Sequence, residues 1–367
     1  MQSTKFRKLL AVLATCLPLS GFGQSAPDTT TESPDRIHGE DHAHDQLEEV
    51  VVTATPLSRN VLEMSQSATV LSGTDLDRDV ANNLGDTLSK MPGLSNASFG
   101  QNVGRPVIRG FEGARVGVLN NNMATADASA VSQDHAVAIE PFLADQIEVL
   151  RGPATLLYGS GAIGGVVNMV THTIPQDIPE DGLSGRAMAQ GDTAAEQRLA
   201  AARLDMGKGQ WALHASGFYR RTDDYEIPGE AELYHDEDEG DGQDEHEEGS
   251  HGVLENSFLD NEGGSLGGSW IGEQWRAGLA YTAYASDYGI PGAHAHEHEA
   301  GEAADEAEAG AEDLVTIGLE SDRLDGEIVG MKPFAGFEQF KVRLADSSYS
   351  HTEFEGDEIG TIFNNDT

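Results

Sequence analysis

Three stretches in the second half of the chain alternate between apolar and polar residues. They cover residues 211–220, 275–283 and 340–345. In the first, Trp211 and Tyr219 lie near the two ends of the apolar face, and the opposite face is interrupted by Phe218. Because the side chains of a strand point alternately to opposite sides, a period of two predicts strands. Aromatic residues near the ends are typical of strands in a transmembrane barrel. A soluble β-sandwich is the alternative that the alternation leaves open.

Residues 57–178 follow a different pattern, over a length typical of one domain. Residues 69–77 predict a strand that runs into a helix. Apolar residues at helical spacing predict a second helix over residues 84–91, which a Pro-Gly pair ends. Residues 107–111 and 115–119 alternate like a pair of strands. We therefore expect a compact α+β domain ahead of the alternating strands.

A glycine-rich stretch, residues 147–168, carries the most specific pattern in the chain. It reads Ile-Glu-Val-Leu-Arg-Gly-Pro, then an apolar segment ending at Tyr158, a glycine-packed bend and a Val-Asn strand. Within it, residues 159–164 spell G-x-G-x-x-G, which in a dinucleotide-binding site follows a strand and opens a helix. Here β-branched residues follow the glycines. The sequence therefore predicts a strand at this point and no nucleotide site.

The same stretch resembles the end of the plug domain in TonB-dependent outer-membrane receptors. That family has an I-E-V-x-R-G-P-x-x-x-x-Y-G run, a glycine-rich bend and a V-N strand, and about twenty positions here agree in order and spacing. The resemblance extends over residues 47–171. It implies an α+β plug domain over residues 57–178 and an antiparallel transmembrane β-barrel over residues 179–367. It also implies a receptor and not an enzyme, surrounded by lipid in the outer membrane of a Gram-negative bacterium.

The expected barrel needs more residues than this chain supplies. Plugged transporters of this class have about 22 strands, and each strand takes about ten residues before its turns are added. Residues 183–367 provide roughly eight strands on that basis. We expect the chain to be the N-terminal part of a longer receptor, a fragment with only the first third or so of the barrel.

The first residues predict export. Basic residues precede an apolar run over residues 9–19, and small residues near Gly23 offer a cleavage position. Residues 1–23 are therefore expected to be a signal peptide. The single cysteine, Cys16, lies in this segment, so the mature chain would have neither disulfides nor thiol ligands. Residues 24–46 are polar, contain histidine and aspartate, and are expected to be disordered.

Residues 47–56 form a short β-prone segment between polar stretches. Such a segment can bind a partner by adding a strand to the partner's sheet. In position and content it resembles the TonB box, the periplasmic peptide gripped by TonB, which works with an inner-membrane energising complex. The resemblance implies TonB binding by Glu48, Glu49, Val50, Val51, Val52, Thr53 and Ala54. The alternative is an ordinary first strand of the following domain.

The formal net charge is −41, which argues against nucleic acid as a partner because a strongly negative protein repels phosphates. Much of the acid lies in two insertions, residues 229–255 and 291–313, which also hold histidines. The candidate metal ligands there are His235, His246, His251, His294, His296 and His298. Neutral imidazole suits zinc, copper and nickel, and long loops of such barrels face outside. We expect these loops to gather metal ions; solvated acidic loops with incidental histidines are the alternative.

A second candidate metal site lies in the plug, where Asp134 and His135 are adjacent. The pair resembles the Asp-His ligands of zinc-importing members of the family, to which the chain is expected to be closest. Residues 351–358 resemble the barrel segment that supplies an acidic ligand in those members, and a further histidine ligand is expected beyond residue 367. The carboxylates of that segment are Glu353, Glu355, Asp357 and Glu358, of which Glu355 and Glu358 are taken as ligands. The alternative for Asp134 and His135 is a capping pair in a surface turn.

Together these features predict TonB-dependent uptake of a divalent transition metal, with zinc ahead of copper, nickel and cadmium. The ion would be the transported ligand, and no prosthetic group is expected. One alternative keeps the receptor and changes the cargo to an iron chelate, haem or cobalamin. Another is a surface protein that sequesters metal without transport.

Overall fold

The computed structural model describes most of the chain from residue 51 onward. The described residues are 51–54, 59–60, 64, 67–152, 158, 161–231, 250–294, 314–356 and 358–367. Several sequence predictions lie outside them, namely the signal peptide, residues 24–46, Glu48, Glu49 and Val50 of the TonB box, and His235, His246, His296 and His298. For His294 the backbone alone is described.

Short strands and two short helices form the plug. The strands are β1 (Val51–Val52), β2 (Arg59–Asn60), β3 (Ala68–Ser72), β4 (Leu94–Ser98), β5 (Gly104–Ile108), β6 (Val116–Asn120), β7 (Met123–Ala124), β8 (Gln146–Arg151) and β9 (Gly165–Val170). The helices are α1 (Gly73–Asp79) and α2 (Leu84–Ser89). In the part of the chain that the structure describes, no helix is long and apolar enough to cross a membrane.

The plug is built on a five-stranded sheet with the order β3-β8-β9-β6-β7. Every residue of β9 is buried, as expected for a strand covered on both faces. On one face of the sheet, Ile147 and Val149 of β8 pack in one apolar cluster with Leu84 and Leu88 of α2. These two leucines are four positions apart, which puts them on the same side of the helix. The helix predicted from residue 84 is therefore present, and it ends at Ser89.

One strand pairing expected from the sequence is wrong. The two alternating runs after residue 104 do not pair with each other, because β5 pairs with β4 while β6 pairs with β7 and runs parallel to β9. The buried strand β9 needs partners on both edges for its backbone groups, and β6 is the second partner beside β8. Asn121 and Asn122 then turn the chain into β7 with φ angles of 50° and 66°, a left-handed conformation that asparagine tolerates.

After the plug, long strands form one antiparallel sheet with the order β10-β11-β12-β15-β16-β17-β18-β19. These strands are β10 (Leu183–Gly191), β11 (Arg198–Lys208), β12 (Trp211–Thr222), β15 (Leu259–Ile271), β16 (Trp275–His294), β17 (Leu314–Met331), β18 (Gln339–Glu355) and β19 (Glu358–Asp366). A separate hairpin follows β12 and consists of β13 (Tyr225–Glu230) and β14 (His251–Leu254). Strands that pair in sequence order make the up-and-down arrangement of a barrel wall.

The two faces of this wall differ as the alternation in the sequence predicts. On the outer face of β12, Trp211 is 63% exposed, whereas His214 is buried on the inner face, which lies against the plug. Phe218, which interrupts the polar face in the sequence, also points inward. Its ring lies 6.0 Å from that of Tyr284, and both belong to a cluster with Phe142 of the plug. The apolar residue that interrupts the polar face therefore makes a contact between wall and plug.

Gly104 is expected to tolerate no side chain. A Cβ at this position would lie 1.8 Å from Oδ1 of Asn83. That oxygen accepts the 2.8 Å hydrogen bond from the Asp86 amide with which α2 begins. Gly104→Ala should therefore lower the free energy of unfolding of the plug by about 1–3 kcal/mol. The measurement is urea unfolding of the receptor in detergent, followed by amide exchange of plug peptides.

Gly191→Ala is the matched control. A Cβ there meets nothing closer than the carbonyl oxygen of Gln197 at 3.6 Å, so the free energy of unfolding should change by less than about 0.5 kcal/mol. Equal stability of the two variants would contradict the packing of Asn83 against Gly104.

Candidate metal centre

The plug loop between β7 and β8 lies against the inner face of the wall. The carboxylate of Asp127 accepts a 3.2 Å hydrogen bond from the Ala138 amide and so holds the loop together across eleven residues. The wall holds it through Tyr288 of β16, whose hydroxyl accepts a 3.0 Å hydrogen bond from the Ala136 amide. These bonds fix the position of His135, which directly precedes Ala136.

His135 meets two side chains of β18. Its Nε2 atom lies 3.0 Å from Nε2 of His351 and 3.0 Å from Oε1 of Glu353. Nε2 of His351 lies 3.7 Å from the same Glu353 oxygen. The two histidines are 4% and 3% exposed, so most of this cluster is closed to solvent. Within the described residues it is the group in which three potential metal ligands converge, with their atoms within 4.8 Å of one another.

A partner on the far ring nitrogen orients each imidazole. Nδ1 of His135 lies 2.9 Å from Oδ1 of Asp134, and Nδ1 of His351 lies 3.2 Å from the hydroxyl of Tyr349. When Nδ1 carries the proton and donates to such a partner, Nε2 keeps the lone pair that can bind a metal ion. Phe363 stacks on His351 with 5.3 Å between the ring centroids and fixes the plane of that ring.

The carboxyl group of Asp134 is held in its charged form. Partial burial works to raise its pKa, but the hydrogen bonds from Ser132 and His135 outweigh burial and lower the pKa below its usual value. A carboxylate at Nδ1 increases the basicity of the imidazole and so strengthens its bond to a metal ion. In this geometry Asp134 therefore acts on His135 and does not point at the cluster.

The two carboxylates that the sequence suggested as ligands, Glu355 and Glu358, are not among the converging residues. Residues 349, 351 and 353 alternate along the strand and share its inner face. Glu355 and Glu358 face each other across the turn to β19, and neither belongs to the converging group. Alternation in the sequence could have shown that His351 and Glu353 share one face of a strand. It cannot show which residues of that face the plug loop contacts.

His251 is the one loop histidine whose side chain the structure describes, and it is not part of the converging group. It is exposed on β14, with its Nε2 atom 3.8 Å from Glu230 on the facing strand. Residues 51–54 of the expected TonB box lie on the plug, where Val52 and Ala54 are buried.

Two ion pairs join the plug to the wall. Glu140 of the plug lies 3.0 Å from Arg220 of β12, and both side chains are almost fully buried. Burial raises the pKa of Glu140 against the opposing effect of Arg220. Asp145 also contacts Arg203 of β11, but both of these side chains are partly exposed and each has a further partner of its own. Because removing one member of the buried Glu140–Arg220 pair leaves a charge without its ionic partner, that pair holds the plug in one orientation.

Comparisons with known proteins agree with the fold. Residues 60–166 match the family model of the TonB-dependent Receptor Plug Domain. The hemin receptor of Yersinia pestis is 34% identical over 168 residues, which cover 45% of this chain and 23% of the relative. The ferric aerobactin receptor of Klebsiella pneumoniae is 35% identical over 133 residues, which cover 34% of this chain and 17% of the relative. The matched residues therefore cover less than a quarter of the length of each of these curated relatives.

Among solved structures, the copper transporter OprC is similar with a TM-score of 0.58 and 18% identity, over 78% of this chain and 38% of that one. At this identity the likeness shows the fold. Both curated relatives are named as receptors. The chain therefore carries a TonB-dependent receptor plug domain followed by an antiparallel sheet of the barrel type found with such plugs, and it belongs to the outer membrane of a Gram-negative bacterium.

Proposed function

We propose that this protein acts as a TonB-dependent receptor that takes up a transition metal ion, with zinc as the first candidate. The observation that carries the proposal is the convergence of His135 from the plug with His351 and Glu353 from the wall. An ion bound by all three would link plug and wall. It would be released inward when the plug moves and His135 withdraws.

The distances in the cluster suit a small ion. A tetrahedral zinc ion with bonds of about 2.0–2.1 Å separates its ligand atoms by about 3.3 Å. The three separations here are 3.0, 3.0 and 3.7 Å, so shifts of a few tenths of an ångström would complete the geometry. Two imidazoles and one carboxylate form a donor set that zinc uses in proteins while a fourth position stays open. An open position suits a site that must release its ion.

The acidic, histidine-containing loops would supply this site. Carboxylates raise the local concentration of cations through their field, and imidazoles bind zinc, copper and nickel. The formal net charge of −41 also attracts cations. In the proposal these loops capture ions loosely and the buried cluster selects among them.

The curated relatives favour a second candidate, in which the cargo is an iron chelate, haem or cobalamin. The relatives reported above are a hemin receptor and a ferric aerobactin receptor, and cargoes of that kind fit the second candidate better than a bare ion. The cluster geometry points the other way. Two imidazole nitrogens on opposite faces of a haem iron would be about 4 Å apart at bonds of ~2 Å, whereas the Nε2 atoms here are 3.0 Å apart.

Energy for release would come from TonB with its inner-membrane complex. Residues 47–56 are the proposed TonB-binding segment. A short β-prone peptide binds such a partner by adding a strand to the partner's sheet. The described residues support this role in one respect, because Val51 and Val52 are already extended and paired with β2. Pulling on this segment would act on the plug that carries His135.

Removing a cluster residue should weaken zinc binding. Because each variant deletes one of three ligands, His351→Ala and Glu353→Gln should each raise the Kd for zinc at least tenfold, about 1.4 kcal/mol. The measurement is isothermal titration calorimetry on the full-length receptor in detergent. Glu355→Gln is the matched control, with the same substitution on the same strand, and should change Kd less than about threefold.

Haem in place of zinc serves as the competing ligand in the same titration. Tight haem binding that His351→Ala abolishes, together with no zinc binding, would establish the second candidate and contradict the first. An equal effect of Glu355→Gln and Glu353→Gln would show that the cluster is misassigned.

Deleting residues 47–56 should abolish zinc uptake and leave zinc binding intact, because the segment couples the plug to TonB and contributes no ligand. The measurement is accumulation of radioactive zinc by cells that produce the full-length receptor. Deletion of residues 30–39, a polar segment of equal length, is the control and should leave uptake unchanged. Uptake that survives the 47–56 deletion would refute coupling through TonB, and binding without uptake in the unaltered receptor would favour a metal-sequestering surface protein.

A further inference from the structure

Glu148 is a carboxylate in the middle of the plug core. It lies in β8 and is 0% exposed. Its neighbours Ile147 and Val149 point to the opposite face of the sheet, so Glu148 shares its face with Leu150. An ionised carboxylate in such a place is costly unless hydrogen bonds replace the water it has lost. Its hydrogen-bonding partners therefore decide what this residue does.

Most of these partners belong to the expected TonB box. Oε1 of Glu148 accepts hydrogen bonds from the amide of Thr53 at 2.7 Å and from its hydroxyl at 2.9 Å. Oε2 accepts one from the amide of Ala54 at 2.8 Å. The sheet itself supplies two donors, Nε2 of Gln146 at 2.6 Å and Nδ2 of Asn168 at 3.0 Å. Three of these five donors would be lost if the segment left the plug.

Further contacts among the described residues also hold residues 51–54. Val52 and Ala54 are buried in an apolar cluster with Leu150, and four more apolar side chains pack against it, namely Met64, Ala68, Val70 and Tyr158. The pairing of β1 with β2 covers two residues on each strand. Gln146 adds one further hydrogen bond, from its Nε2 to the carbonyl oxygen of Val51 at 3.1 Å. Glu148 is thus the group that holds the amides of Thr53 and Ala54, and charge-assisted hydrogen bonds of this kind are strong but are broken by a short displacement.

We propose that Glu148 is a latch that holds residues 51–54 on the plug and competes with a partner that binds this segment by strand addition. Strand addition uses the main-chain donors and acceptors of the peptide, and Glu148 occupies the amides of Thr53 and Ala54. A cavity of about 260 Å³ borders Thr53 and is also lined by Asn121 and Arg343, which gives the segment room to leave. The identity of the partner rests on the proposed function. The latch itself depends on neither metal nor transport.

The latch is tested by hydrogen–deuterium exchange of residues 47–60 in the full-length receptor, in detergent, without metal or TonB. Glu148→Gln replaces an acceptor oxygen by an amide group that cannot accept, so exchange should become at least tenfold faster. Ala54→Pro removes one donor from the segment and leaves Glu148 itself in place, and it should act in the same direction. This second variant keeps the test decisive if Glu148→Gln does not fold.

Asp86→Asn is the matched control. It removes the charge of another plug carboxylate, one that accepts hydrogen bonds from the side-chain amides of Asn83 and Asn96 and lies outside residues 134–148, and it should leave exchange over residues 47–60 unchanged. Unchanged exchange in both Glu148→Gln and Ala54→Pro would overturn the latch.

Competition is tested by titrating the purified periplasmic domain of TonB into the same receptors. Glu148→Gln should lower its Kd about tenfold. Thr53→Val, which loses the hydroxyl and keeps the amide, should lower it by a smaller factor of about three. Faster exchange without any gain in affinity would overturn the competition. A receptor that shows these exchange rates but neither binds nor takes up zinc would count against the proposed function alone.

Discussion

The polar contacts between the plug and the inner face of the wall determine where the functional side chains of this protein lie. Arg220 and Arg203 reach inward from the wall and pair with Glu140 and Asp145 of the plug. The burial of Glu140 and Arg220 makes their pair specific in orientation, because a displaced plug would leave both charges without their ionic partner in a medium of low polarity. The plug therefore has one orientation inside the wall, and in that orientation His135 lies against β18.

A single stretch of chain, residues 134–148, connects the three features that matter most. It begins at the metal cluster with His135, passes the two ion pairs with the wall, and ends in β8 at Glu148. A displacement of this stretch would alter ligand geometry at one end and the support of residues 51–54 at the other. In the proposed function, this continuity would give ion release and TonB engagement a common mechanical element, which both ends can bias.

Local patterns in the sequence predict much of the fold. The alternation over residues 211–220 is observed as β12, and the spacing of Leu84 and Leu88 is observed as a helix whose leucines are buried. Pairing was harder to predict, since β6 joins β9 across more than forty residues while local reasoning paired neighbouring runs. The site shows the same limit. Asp134 and His135 could be singled out because they are adjacent in the sequence. His351 lies 216 positions from His135, and only the position of the plug loop along β18 brings the two histidines together.

The proposed function requires that His135, His351 and Glu353 bind an ion between plug and wall. A crystal structure of the zinc-soaked receptor, with anomalous diffraction recorded at the zinc edge, tests this requirement. We expect an anomalous peak within about 2.0–2.2 Å of both Nε2 atoms and of a Glu353 oxygen. Zinc found elsewhere, with the cluster unoccupied at a concentration that saturates binding in solution, would contradict it.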